Sequence, residues 1–303
     1  MKRFSPFLLT TLGLSAVTIN PVMAAPEQGI VLNYEVFSDK QKIGDIHKEH
    51  AFVMNSEDRY EQVTISTQVR ASGWWGSWSL DTESRYVFSG LDVLRFGHKI
   101  TEDGKKFHVV GEKLEDRLWA SASEVKTQQL IDDDAFFNLA LAITNKAPSP
   151  GGEALIGEGL LGDGAKAQKE IRIPMKSFVS TVEKLPSLAR THGYRLSGIK
   201  VEFLDSGELE IVSYVLNSVE QETLSIDGHE YDCYVIEAKT PEGEAKYWIA
   251  EVQGEVFLVR ETGHDSDGPY EIVLRELKTK PGNGGYGKTD RRLSYRRVIG
   301  LIR

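Results

Sequence analysis

The residues able to do chemistry are few and mostly isolated. His47 and His50 stand three apart in "HKEH", a spacing that on a helix would set two imidazoles on one face as a metal pair. The surrounding "KIGDIHKEHAFVMN" alternates like a strand, where odd and even positions point to opposite sides, so the pair is split and no metal site is expected. The acidic run at 132–134 and the "HDSDG" at 264–268 have the composition of calcium loops. Neither is followed by the carboxylate spacing of a twelve-residue loop, and a helix cap and a hairpin turn account for them. Cys233, in "YDCYVIEA", is the chain's only cysteine. It reads as a small apolar strand residue rather than a nucleophile, and one cysteine closes no internal disulfide, so the fold must rest on burial. There is no "GxSxG" elbow, Gly-rich phosphate loop or paired-His zinc motif. The motifs point away from catalysis, without excluding a site assembled from dispersed residues, and no cofactor is implied.

The residues that ask for a ligand are aromatic instead. "GWWGSWSL", at 73–80, holds three of the five tryptophans, side chains that must be buried on folding or kept for a partner. If one strand runs unbroken through "WWGSWSLDTESRYVF", Trp74, Trp78, Tyr86 and Phe88 share a face and Trp75 lies opposite, although Gly73 and Gly76 are placed to bulge the strand and reset that parity. Trp74, Trp78, Tyr86 and Phe88 are therefore the candidate ligand-binding residues, with core packing as the competing reading.

The elements that must position them are strands. In "YEQVTISTQVRA", Val63, Ile65, Val69 and Ala71 share one parity and Gln62, Thr64, Ser66, Gln68 and Arg70 the other, as a strand with one covered and one wet face requires. "EYDCYVIEA", "AKYWIAEV", "EVFLVRE" and "YEIVLREL" repeat the pattern, and the turn formers Asp103-Gly104, Ser206-Gly207, Asp227-Gly228, Glu242-Gly243 and Asp267-Gly268 link strands into meanders. Helical spacing occurs only in the middle, in "IDDDAFFNLALAITNK" and in "KSFVSTVEKLPSLA", the latter interrupted by Pro186, with a Gly/Pro-rich stretch between them. The expected fold is mainly β: two antiparallel β-meanders, half-barrel-like, over 25–124 and 194–279, joined by a helical and Gly/Pro-rich connector over 125–193.

The start, "MKRFSPFLLTTLGLSAVTINPVMAAPEQ", has the basic residues, short apolar run and small-residue site of a cleavable signal peptide, 1–24, which predicts a periplasmic protein. The apolar run is too short for a membrane span and no later segment is long enough, so the mature chain is expected to have none. The formal charge of −9 falls to −11 once Lys2 and Arg3 are removed, which disfavours a nucleic-acid partner. Against that balance, 280–303 forms a basic tail with seven Lys and Arg against Asp290 alone.

The C-terminal stretch "SIDGHEYDCYVIEAKTPEGEAKYWIAEVQGEVFLVRETGHDSDGPYEIVLREL" resembles the end of an uncharacterised family of secreted bacterial envelope proteins, with its "YWI" strand, "LVR" strand and "DGPYE" hairpin. "LNYEVFSDKQKIGDIHKEHAF" is similar to that family's first hairpin. The resemblance spans both meanders but rests on packing and turn motifs, carries no catalytic residues, and does not extend to the basic tail. In outline such proteins are distantly similar to the half-barrels of lipoprotein carriers, which hold acyl chains against an apolar concave face. The export signal, the curved-sheet pattern and the aromatic face together predict a non-enzymatic periplasmic protein that binds an apolar or lipid-like envelope molecule. The alternatives are a structural or accessory subunit of an envelope protein complex and, after it, an enzyme with a dispersed site. Cavity volume separates the first two: an apolar pocket of a few hundred cubic ångströms suits a ligand, and a filled core does not.

Overall fold

A computed structural model of the chain describes residues 28–55, 58–73, 76–124, 169–240, 243–252, 254–265 and 268–281. The signal segment, Trp74, Trp75, the helical pattern at 131–146 and the tail beyond 281 lie outside the described residues. The first half holds β1 (Gln28–Ser38), β2 (Gln41–Asn55), β3 (Asp58–Gly73), β4 (Gly76–Ser89), β5 (Asp92–Glu102), β6 (Lys105–Leu114), β7 (Arg117–Glu124) and β8 (Lys169–Pro174). The second holds β9 (Ser180–Thr181), β10 (Ser197–Asp205), β11 (Glu210–Ile226), β12 (His229–Lys239), β13 (Glu244–Val252), β14 (Glu255–Asp265) and β15 (Gly268–Pro281). Between β8 and β10 come 3-10 turns at Met175–Ser177 and Val182–Lys184 and one short helix, α1 (Leu185–Thr191). No helix among the described residues is long and apolar enough to cross a membrane.

Both meanders form, and they fuse. β1 pairs antiparallel with β15, joining the two into a single 15-stranded sheet whose edges are β8 and β9. β8 pairs with β7 and so extends the first meander past 124. Laid flat, 15 strands at about 4.8 Å spacing would stretch to roughly 65–70 Å. Yet the two edge strands are separated in sequence only by residues 175–179, a reach of about 20 Å at full extension. The connection forces the sheet to curl, and β9 accordingly lies against β5 of the other half.

Turn chemistry sets the hairpins. Asp103 and Gly104 have φ of 46° and 82°, and Asp227 and Gly228 have 49° and 75°, the paired positive values of two-residue turns whose twist matches the strands. Two other glycines make room for rings: Gly111 pairs with Phe96 and Gly263 with Tyr270, and a Cβ on either would come within 2.3–2.4 Å of the facing ring. Pro186 does not interrupt a helix here. It sits in the first turn of α1, where no N–H is needed.

Three apolar clusters fill the molecule. One joins Ile30, Leu32 and Tyr34 to Val235, Trp248, Val259 and Leu274. The second is a wall of Val63, Ile65, Tyr86, Phe88, Phe96, Val109 and Leu118, met by Phe178, Leu204 and Leu209. The third packs Leu185, Leu188 and Leu196 on Phe203, Leu216, Ile236, Tyr247 and Ile249. The segment 178–191 thus touches both halves, Phe178 on the wall and Leu185 and Leu188 on the second meander. It crosses the interior of the curled sheet. Cys233 is buried in the first cluster, and burial pushes its thiol up to about 12, so it has no thiolate to offer as a nucleophile at neutral pH.

Candidate binding site in the sheet interior

β4 runs unbroken from Gly76 to Ser89, so Trp78, Tyr86 and Phe88 share one face. They do not share one environment. Tyr86 stacks on Phe88 with centroids 5.5 Å apart, and both are buried in the wall. Trp78 is half-buried, its indole N–H donating to Glu102 Oε1 at 3.1 Å, and it lines a separate cleft with Arg70 and Asp103. The polar Thr82 and Ser84 lie between the two aromatic groups on that face.

Two clefts flank the crossing segment and share Val182, which is 37% exposed between them. The larger, about 210 Å³, lies between Ser84, Tyr86 and His98 on one side and Thr181, Phe203, Ser206 and Tyr214 on the other. Here Ser206 Oγ is 3.0 Å from both Tyr86 Oη and His98 Nε2, while Ser84 Oγ is 2.8 Å from His98 Nδ1. A serine beside a histidine invites comparison with a nucleophile and its base. Burial, however, holds His98 down at about 3, and a serine hydroxyl rather than a carboxylate orients it. Nothing here would stabilise the imidazolium that acyl transfer must form. The trio serves instead to tie the β10–β11 turn to β4 and β5.

The smaller cleft, about 80 Å³, holds the charged groups of the interior. His50 and Lys184 are 8% and 4% exposed. His50 Nδ1 is 2.6 Å from Glu61 Oε1, and Lys184 pairs with the other oxygen of Glu61 while its ammonium lies 4.6 Å above the Phe88 ring. Burial alone would raise the Glu61 carboxyl, but the hydrogen bond from His50 and the charge of Lys184 outweigh it and hold Glu61 at about 2. Burial lowers His50, with Lys48 and Lys184 adding to the effect against Glu61. Lys48 pairs with Glu183 on the crossing segment. On the far side, burial raises Glu261 to about 7 although Tyr270 Oη donates to it at 2.9 Å.

The crossing segment is therefore latched to β2 and β3 by two ion pairs, but it fits the wall poorly. Ser180 and Thr181 are 0% and 1% exposed, neither hydroxyl has a hydrogen-bond partner among the described residues, and Thr181, paired with Leu204 of the wall, is on the side that faces it. A buried hydroxyl left unpaired costs about 1–3 kcal/mol.

Sequence parity put Tyr86 and Phe88 on one face, where both are buried, and separated the two histidines, since His47 is exposed against Asn33 and Glu49 while His50 is buried. It missed the ionic cluster. A signal was present: Glu61 shares the parity of Val63 and Ile65, and His50 that of Ile46 and Phe52, polar residues in apolar stripes.

No family model and no curated protein matches the chain. Among solved structures, it is similar to a β-barrel-like protein of domain of unknown function DUF1849 from Brucella abortus, with 10% identity over 86% of this chain and 99% of that one and a TM-score of 0.47. A DUF1329 family protein from Desulfovibrio piger is similar at 10% identity over 90% and 92% of the two chains, with a TM-score of 0.20. Like the family suggested by the strand and turn motifs, both are of unknown function, and no residue role comes from either.

Proposed function

We propose that this is an exported, non-enzymatic binding protein that takes an apolar or amphipathic envelope molecule against the Tyr86–Phe88 wall, in the space held by the crossing segment, with Trp78 further along the same face of β4. The observation that supports this reading is the mismatch at the wall: an aromatic surface is covered by the unsatisfied hydroxyl of Thr181 and by a lysine. An apolar chain there would bury the same wall without stranding a polar atom. The clefts, at about 80 and 210 Å³, fall short of the 300–1,000 Å³ usual for ligand sites, so entry requires the segment to move. The test is titration with the apolar fluorescent probe N-phenylnaphthylamine, alongside mass spectrometry of lipid extracted from the natively purified protein. Saturable binding that long-chain amphiphiles displace is expected. The filled interior favours a second reading, a structural or accessory subunit of an envelope complex, and absence of both probe binding and co-purified lipid would select it.

A further inference from the structure

We infer that the buried imidazole of His50 receives the head of the ligand, and that this head is an uncharged hydrogen-bond donor, an alcohol hydroxyl rather than a carboxylate. This rests on the binding reading above and narrows it to a ligand class.

The tautomer follows from the partners. Glu61, between His50 and Lys184, is ionised across the physiological range and can only accept. Its neighbour Nδ1, at 2.6 Å, therefore carries the proton, and His50, kept neutral by burial, presents a bare lone pair at Nε2. That atom is buried and has no hydrogen-bond partner among the described residues, although its ring lines the smaller cleft. Glu61 and Lys184 thus fix one nitrogen while the other is left as an acceptor without a donor.

The remaining groups of the cleft set the sign of the head. The ammonium groups of Lys48 and Lys184 are engaged by Glu183 and Glu61. The Tyr34 phenol donates to the Leu258 carbonyl at 2.9 Å, and Glu261 accepts at 2.9 Å from the phenol of Tyr270, which lies outside the cleft lining. Among the described residues, the one buried polar atom of the lining left without a partner is His50 Nε2, and its unmet capacity is for a donor. A carboxylate would bring acceptor oxygens and a negative charge among Glu61, Glu183 and Glu261, whereas a hydroxyl supplies the missing proton at no electrostatic cost. With 178–181 displaced and the Lys48–Glu183 and Lys184–Glu61 pairs kept, the apolar chain takes the wall and the head lies at His50, because Lys184 joins the two by contacting both Phe88 and Glu61.

The experiment compares three amphiphiles of equal chain length, a monoacylglycerol, a fatty acid and an alkylamine, as displacers of N-phenylnaphthylamine at pH 7.4. It is run on the wild-type protein and on His50→Phe, and NMR of ¹⁵N-histidine-labelled wild type follows Nε2. The monoacylglycerol is expected to displace the probe at roughly tenfold lower concentration than the fatty acid, the worth of one buried acceptor satisfied. The His50 Nε2 resonance should shift on saturation, and His50→Phe should bind the probe but lose the preference. A fatty acid or alkylamine binding as well as the monoacylglycerol would overturn the inference while leaving the binding reading intact. So would an Nε2 resonance unmoved at saturation, as expected for a site filled by water alone, and this readout needs no variant to fold. Failure of the probe and all three amphiphiles to bind would instead remove the binding reading itself.

Discussion

Thr181→Val tests whether the crossing segment and the ligand compete for the same space. Thr181 sits in β9, its backbone paired with Leu204 of β10, its side chain 1% exposed and its hydroxyl without a partner among the described residues. Valine keeps the branched shape and replaces that hydroxyl with a methyl. Since the unpaired hydroxyl costs about 1–3 kcal/mol, the exchange should stabilise the closed arrangement by about 1 kcal/mol, taking the low end. For a protein of this size the melting temperature should rise by about 2–4 °C. A ligand that binds only when the segment leaves the wall must overcome the added stability, so its apparent affinity should fall about fivefold for about 1 kcal/mol. Thermal unfolding and N-phenylnaphthylamine titration on the same preparations measure both quantities. A variant that melts higher yet binds the probe with wild-type affinity would refute the competition. A variant that melts lower would show that the hydroxyl is satisfied by ordered water.

Three further outcomes follow from the packing and the charges. The Cys233 thiol, buried and pushed up to about 12, should react with a thiol reagent only on unfolding, and Cys233→Ser should cost about 1 kcal/mol in denaturant titrations while leaving binding intact. Glu261 titrates at about 7 in the fold and near 4.5 in the unfolded chain, so the folded state holds the extra proton between these values and its contribution to stability falls as pH rises through that window. Glu261→Gln should therefore raise the melting temperature more at pH 8 than at pH 4.5, and an equal gain at both would show the carboxyl to be ordinary. Gly111→Ala places a Cβ 2.3 Å from the Phe96 ring and should destabilise by about 1–3 kcal/mol as the ring is forced off the wall, measurable by chemical denaturation.

The meanders were legible because each strand of a hairpin is specified locally: Val63, Ile65 and Val69 alternate with polar residues, and Asp103-Gly104 and Asp227-Gly228 require positive φ. The pairing of β1 with β15 was not, since its register joins residues such as Ile30 and Thr279 across nearly the whole chain and leaves no local mark. The site divides in the same way. Tyr86 and Phe88 could be read from the parity of one strand. The cluster of His50, Glu61 and Lys184 draws on β2, β3 and the crossing segment, with Glu61 and its lysine 123 positions apart, and only the curl of the sheet assembles it. Trp78 shows the limit of parity, which gives the face a residue occupies but not how far along the strand the cover extends.

Displacement of the crossing segment is tested most directly by hydrogen exchange of backbone amides, with and without saturating monoacylglycerol. Ligand in the interior should speed exchange across 178–181, where the Val179 N–H now bonds to the Glu202 carbonyl and β9 to β10, and leave the amides of β12 to β14 unchanged. Slower exchange across 178–181 in the saturated protein would contradict displacement and place the ligand elsewhere.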